Sequence, residues 1–128
     1  MIDHVFITVS DIARSRVFYA AALKALGWRD IGIYRSASGP EGIPDLYGYG
    51  DSSGASIWLR DGSEQEARTH IGFVAGDHAS VDRAYRVAIA AGGQDNGEPA
   101  IRDYFAPGYY AGNVLDPDGN SIEFVSKG

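Results

Sequence analysis

Few side chains in this sequence can do chemistry, and two of them stand at matched places. His4 opens the string His-Val-Phe-Ile-Thr-Val-Ser-Asp11, and His70 opens His-Ile-Gly-Phe-Val-Ala-Gly-Asp77, 66 residues further on. The first string is apolar and β-branched, as a strand should be. Alternation along a strand sends His4, Phe6 and Thr8 to one face and Val5, Ile7 and Val9 to the other. In the second string His70, Gly72 and Val74 oppose Ile71, Phe73 and Ala75. The fully apolar faces are expected to cover helices, which turns both imidazoles to the opposite, concave side. Near the end of the chain Glu123 alternates with Ile122 and Phe124, so the same logic puts it with the histidines. Two imidazoles and one carboxylate meeting at a point form a donor set for one divalent ion (zinc, nickel, manganese or iron), with positions left for substrate or water. The sequence has no cysteine, so thiolate ligands, thiol nucleophiles and disulfides are excluded.

The elements that position these residues follow from an internal repeat. At an offset of 66, residues 4–27 and 70–93 share seven identities, among them Asp11 with Asp77, Tyr19 with Tyr85, Ala22 with Ala88 and Gly27 with Gly93. At an offset of 65, Asp51-Ser-Ser-Gly-Ala-Ser-Ile-Trp58 matches Asp116-Pro-Asp-Gly-Asn-Ser-Ile-Glu123 at four places. Each unit opens with a strand, over 2–9 and 69–75. An aspartate then stands at a helix start, where negative charge is favoured. Apolar residues recur at helical spacing, through Phe18, Tyr19, Ala22, Leu23 and Leu26, and through Val81, Ala84, Tyr85, Ala88 and Ile89. Gly27 and Gly92-Gly93 end these helices. Three short strands follow each helix. In the second unit they are expected near 94–97 or 101–105, at 109–115 and at 121–126, with Asp116-Pro-Asp-Gly119 as the last turn. The plan is βαβββ twice: an α+β fold in which two tandem units form a curved mixed sheet around a concave site. It is read as one domain over 1–128, with unit one at about 1–60, a polar linker at 61–68 and unit two at about 69–128.

The chain resembles the vicinal oxygen chelate superfamily, which includes glyoxalase I, extradiol dioxygenases, fosfomycin-resistance proteins and bleomycin-binding proteins. The carriers are His4, Ser10-Asp11 followed by Arg16-Val-Phe-Tyr19, His70, and the string Val114-Leu-Asp-Pro-Asp-Gly-Asn-Ser-Ile-Glu123. The resemblance implies paired βαβββ units around a metal and commonly a dimer, with His4, His70 and Glu123 on metal-ligand positions. The fourth ligand position of glyoxalase I falls on Trp58, which cannot ligate. Phe6 stands where fosfomycin-resistance proteins have a hydroxyl residue. Both departures leave the branch open.

Several other candidates carry less. Asp116, Asp118 and Asn120 have the 1-3-5 spacing of a calcium loop, but Gly119 and Lys127 occupy the wrong positions, and a β-turn is expected. Gly48-Tyr-Gly50 lacks the third glycine of a dinucleotide loop. No nucleophile elbow is present. His78, beside Asp77 at a helix start, reads as a solvated or capping residue. Trp58, Tyr104, Phe105, Tyr109 and Tyr110 supply aromatic area. Of these Trp58 and Tyr109, together with Phe6 and Asn113, are expected to line a substrate pocket.

Eleven basic and seventeen acidic residues give a net charge of −6, which repels phosphate backbones, so neither nucleic acid nor an anionic membrane is an expected partner. The longest apolar run, Val17 to Leu23, has seven residues, far short of the roughly 20 that span a bilayer. A cytoplasmic homodimer binding a small molecule is expected. The leading function is a metal-dependent enzyme acting on vicinal oxygens, of the lyase or isomerase, dioxygenase or transferase branch. Its metal polarises those oxygens, and Glu123, or Glu41 in the loop 36–45, moves a proton. The rival is a metal-free protein that sequesters a drug or metabolite.

Overall fold

A computed structural model of the chain describes residues 2–39, 41–42, 44–62 and 69–127. Unit one runs β1 (His4–Val9), α1 (Ile12–Lys24), β2 (Arg29–Tyr34), β3 (Leu46–Gly50) and β4 (Ser56–Asp61). Unit two runs β5 (His70–Val74), α2 (His78–Ala90), β6 (Gln94–Asp95), β7 (Ala100–Ile101), β8 (Tyr110–Leu115) and β9 (Ser121–Ser126). Most of the polar linker expected at 61–68 lies outside the described residues.

Both helices begin as the repeat predicts. The carboxylate of Asp11 accepts the Arg14 N–H, and that of Asp77 accepts the Ser80 N–H, each capping an otherwise unpaired donor. Gly27 and Gly92 then end the helices in the left-handed region, at φ +86° and +108°, where a side chain would be strained.

The strands form two mixed sheets rather than one, ordered β1-β4-β3-β2 and β5-β9-β8-β6, with β7 also on β8. In each, the first strand lies parallel to the last, and the register is the same. His4 faces Ser56 and Phe6 faces Trp58 in the first sheet; His70 faces Ser121 and Gly72 faces Glu123 in the second. The strand expected near 94–97 or 101–105 is divided into β6 and β7. Pro99, between them, has no N–H to give to the ladder, and Gly97 bends the chain at φ +135°.

The two units share one core. Ile7, Val9, Phe18, Tyr19, Leu23 and Leu59 of the first meet Phe73, Val81, Ala84, Val114, Ile122 and Phe124 of the second. Burying each of the larger side chains stabilises the fold by about 1.5–3 kcal/mol. The back faces of β1 and β5 also meet, around a cavity of about 250 Å³ lined by Val5, Ile57, Ile71 and Phe73.

A polar clasp joins the units at the Asp116–Asn120 turn. Tyr19 donates its hydroxyl hydrogen to Asp116 Oδ2 at 2.6 Å. Asp116 Oδ1 accepts the N–H groups of Asp118 and Asn120, and Asn120 Nδ2 reaches the Thr8 carbonyl at 3.3 Å. The Asp118 carboxylate accepts both the N–H and the hydroxyl of Ser10. The carboxylates with calcium-loop spacing are therefore committed to protein donors. Among the described residues no helix is long and apolar enough to cross a membrane.

Candidate functional site

The open face of the second sheet gathers the chemistry. Glu123 on β9 is buried at 8% exposure, and three polar side chains surround it. His70 Nε2 lies 3.3 Å from its Oε1, while Tyr109 donates its hydroxyl hydrogen to Oε2. Asn113 is its cross-strand neighbour on β8. That hydrogen bond, followed by burial and the carboxylate charge, pushes the Tyr109 hydroxyl up to about 12, so it stays a proton donor at neutral pH. The Arg102 charge pulls the other way without prevailing.

Ser121 explains how His70 is aimed. Its Oγ lies 2.7 Å from His70 Nδ1, which leaves Nε2 as the nitrogen that faces Glu123. A histidine whose second nitrogen is held by an outer partner is the usual form of a metal ligand. His4 shows a similar division on the first sheet, where Asp3 Oδ2 sits 2.7 Å from Nδ1 and Nε2 has no partner among the described residues.

His4 is not part of the His70–Glu123 pair. Among the described residues no three histidine, aspartate or glutamate side chains gather at one point. The convergence of His4, His70 and Glu123 expected from pairing the units is thus not reached within one chain. The shared core takes the back faces of both sheets, so the faces carrying the two histidines both turn away from it. His4 and His70 are accordingly half-exposed, at 52% and 56% of their side chains.

The first sheet presents an aromatic floor beside His4. Phe6 is 40% exposed, with its ring centroid 5.7 Å from that of His4. The Arg60 guanidinium lies 5.9 Å from the Phe6 ring, and its Nε donates to Thr8 Oγ1 at 2.8 Å. Trp58 lies against the Gly48 backbone, where a Cβ would come within 2.5 Å of the indole. Its Nε1 donates to Ser56 Oγ, the hydroxyl that corresponds in the repeat to the one holding His70.

The pocket residues Phe6, Trp58, Tyr109 and Asn113 are therefore divided between the two sheets, two on each. Glu41 is exposed in its loop. His78 stacks on Tyr110 at 4.0 Å, and Tyr110 donates to Asp82, so neither belongs to the Glu123 group. Asp3 and Ser121 were not legible as site residues. For Ser121 a signal existed, because Ser56 and Ser121 are identical at the repeat position opposite each histidine.

With this geometry in place, comparison with solved structures returns the same architecture. A glyoxalase/bleomycin resistance protein from Albidiferax ferrireducens T118 is 26% identical at a TM-score of 0.75, over 98% of this chain and 97% of that one. A mutant of the fosfomycin resistance protein FosX from Listeria monocytogenes, solved with Mn(II) and 1S,2S-dihydroxypropylphosphonic acid, is 18% identical at a TM-score of 0.68, over 97% and 87%. A glyoxalase-related enzyme from Fulvimarina pelagi is 18% identical at 0.70, over 98% and 86%. No relative was found among the curated proteins. A family model matches residues 1–124, a span that includes both histidine strands, both capped helices and Glu123. Since that match runs through both units, the chain belongs to the Glyoxalase/Bleomycin resistance protein/Dioxygenase superfamily.

Proposed function

We propose that the protein is a divalent-metal-dependent enzyme acting on a small molecule with two adjacent oxygens, its centre shared between two copies of the chain. His70 and Glu123 of one copy and His4 of the other would supply the three protein ligands. The observation that carries this reading is the His70 arrangement, with Nδ1 on Ser121 and Nε2 at 3.3 Å from a buried carboxylate on an open sheet face. His4, with Nδ1 on Asp3, is the matching half. This donor set, two imidazoles and one carboxylate, suits zinc, nickel, manganese or iron.

Two features support a second copy as the source of the third ligand. Strands β1 and β5 each form one edge of their sheet. Ile2, just before β1, and Val74, the last residue of β5, are 72% and 79% exposed, apolar surface of the kind a two-fold interface covers.

When bound, the metal supplies Lewis acidity toward the two substrate oxygens. The chain does the rest. Tyr109 holds the Glu123 carboxylate in place and keeps its own proton beside it. Phe6 and Trp58 exclude water over the first sheet. Trp58, at the repeat mate of Glu123, contributes no fourth ligand, so positions remain for both substrate oxygens. The reaction belongs to the lyase or isomerase, dioxygenase or transferase branch.

The test is metal content after purification, followed by titration with zinc, nickel, manganese and iron, with His70→Ala as control. One ion bound per chain, and lost in the variant, is the expected result. No uptake of any of these ions by the intact protein would refute the reading. The aromatic floor of Phe6 and Trp58 would then point to a metal-free protein that sequesters a small molecule.

A further inference from the structure

We infer that Asn96 is a site of self-modification, where the Gly97 nitrogen closes on the Asn96 side chain and converts the residue to aspartate and isoaspartate. The inference goes beyond the metal reading and needs no part of it.

The chain has three asparagines, Asn96, Asn113 and Asn120, and only Asn96 precedes a glycine. An asparagine side chain is attacked by the backbone nitrogen of the next residue, and the approach is least obstructed where that residue has no Cβ. Asn113 is followed by Val114, whose branched Cβ crowds it. Asn120 precedes Ser121 and is fully buried; its Oδ1 accepts the Thr69 N–H at 3.0 Å and its Nδ2 donates to Asp116 Oδ2 at 2.8 Å. Asn96 is exposed, and among the described residues nothing holds its amide.

The backbone keeps Gly97 a glycine. Asn96 donates its N–H to the Asn113 carbonyl at 3.0 Å, while Asn113 donates its own N–H to the Gly97 carbonyl at 2.8 Å. Two residues thus oppose one, a bulge in the ladder of β6 with β8. Gly97 sits in it at φ +135°, a conformation open to glycine and strained for other residues. The bulge also leaves the Gly97 N–H outside the ladder, donating to Asp95 Oδ1 at 2.9 Å. The attacking nitrogen is therefore freed by exchange of one exposed side-chain bond, with no ladder bond broken.

In the reaction the Gly97 nitrogen gives its proton to solvent and bonds to Asn96 Cγ. The Cγ–Nδ2 bond breaks, and the nitrogen leaves with a proton as ammonia. Water then opens the cyclic imide at either carbonyl. Opening at Cγ restores the ordinary main chain as aspartate. Opening at the backbone carbonyl carries the main chain through Cβ and Cγ, as isoaspartate, and lengthens it by a methylene. That extra length falls between the two hydrogen bonds by which the bulge holds Asn113, the cross-strand neighbour of Glu123. Isoaspartate at this position moves the Gly97 carbonyl off the Asn113 N–H and loosens β8 beside the Glu123 face.

The test incubates the full-length protein in mildly alkaline buffer. Peptide mapping by mass spectrometry locates the exchange of NH2 for OH, enzymatic methylation counts isoaspartate, and amide hydrogen exchange follows the Asn113 N–H. Asn96→Gln, with a longer side chain, disfavours ring closure; Asn96→Asp, freshly prepared, is the product with an unaltered main chain. Product should accumulate at Asn96 ahead of Asn113 and Asn120, and not in Asn96→Gln. In the isoaspartate-bearing fraction the Asn113 N–H should exchange on the order of tenfold faster, the effect of losing one hydrogen bond. Asn96→Asp should exchange there as the parent does. An Asn96 that stays intact in the folded protein while the chain in urea is converted would overturn the inference, as would conversion led by Asn113 or Asn120. Isoaspartate at position 96 with unchanged Asn113 exchange would overturn the link to the Glu123 face.

Discussion

If each metal centre draws His4 from one copy and His70 with Glu123 from another, two inactive variants can repair each other. His4→Ala and His70→Ala each remove one of three ligands from every centre. Each loss should cost more than the roughly 10–100-fold that follows loss of an outer-sphere partner, because the ligand itself is gone. Co-expressed at equal levels, the two chains form mixed dimers in about half of all cases. In a mixed dimer one centre takes His4 from the His70→Ala chain and His70 with Glu123 from the His4→Ala chain, and is intact. The other centre lacks both histidines. About a quarter of the parent protein's tight sites should therefore return. The assay is metal analysis after gel filtration, with calorimetric titration giving the fraction of tight sites. A co-expressed sample that binds no more metal than its two components would refute a shared centre. So would a His4→Ala protein that binds like the parent. A centre confined to one chain cannot be restored by mixing, and this separates the arrangements without knowledge of the substrate.

Two further outcomes test the scaffold. Gly48→Ala places a Cβ 2.5–2.7 Å from three Trp58 ring carbons, so the indole must move. A loss of about 1–3 kcal/mol is expected, read by chemical denaturation together with a red-shifted tryptophan emission; unchanged stability and emission would show that the indole is not held against Gly48. Tyr19→Phe removes the hydroxyl bonded to Asp116 and should cost about 1.5–3 kcal/mol. Burial first, and the Asp116 charge and hydrogen bond next, raise the Tyr19 hydroxyl well above its ordinary 10.0. A raised native value favours the folded state below the unfolded value, and this contribution fades as pH climbs past about 10 toward the native one. Stability of the parent should therefore fall with pH from about 10 upward, and less steeply in Tyr19→Phe; equal slopes in denaturant midpoints from pH 9 to 11 would contradict this.

Much of the fold was legible because the repeat constrains each unit twice. Asp11 and Asp77 gave both helix starts, and Gly27 and Gly92 their ends. The last strand was read over the same residues that form β9, since Ser121 to Ser126 alternate cleanly after a turn closed by Gly119. The break between β6 and β7 had its signals in Gly97 and Pro99, but the sequence offered 94–97 and 101–105 as alternatives, whereas a piece of each region pairs with β8 on either side of that break. At the site, strand periodicity put His70 and Glu123 on one face and the family pattern added Tyr109 and Asn113, and the structure brings these four side by side. Periodicity cannot say which nitrogen of a histidine is held, so Ser121 and Asp3 were missed. Nor can it say whether two faces of two sheets look at each other. The expected meeting of His4 with His70 required that, and the common core of Ile7, Val9, Phe73 and Phe124 prevents it within one chain.

The way the two units diverge from one another also argues for a shared centre. Ser56 and Ser121 stand at the same register position, opposite His4 and His70. In the second unit the serine is free to hold the imidazole, because Glu123 two residues on needs nothing from it. In the first unit the residue two positions on is Trp58, whose indole N–H takes the Ser56 hydroxyl. His4 is then held by Asp3 instead, from the residue just before β1. A tryptophan in place of a glutamate would leave His4 an ordinary surface residue if the unit had no further use for it. Its Nδ1 is nonetheless held by a carboxylate at 2.7 Å, with no partner for Nε2 among the described residues, the arrangement of the outer two members of a carboxylate–histidine–metal triad. One unit thus offers an imidazole over an aromatic floor, and the other an imidazole, a carboxylate and a proton-bearing tyrosine. Neither is a complete centre, and the core that binds their backs together keeps them from completing each other. In the proposed shared centre a second copy, placing the open face of one unit over the open face of the other, would supply to each what it lacks.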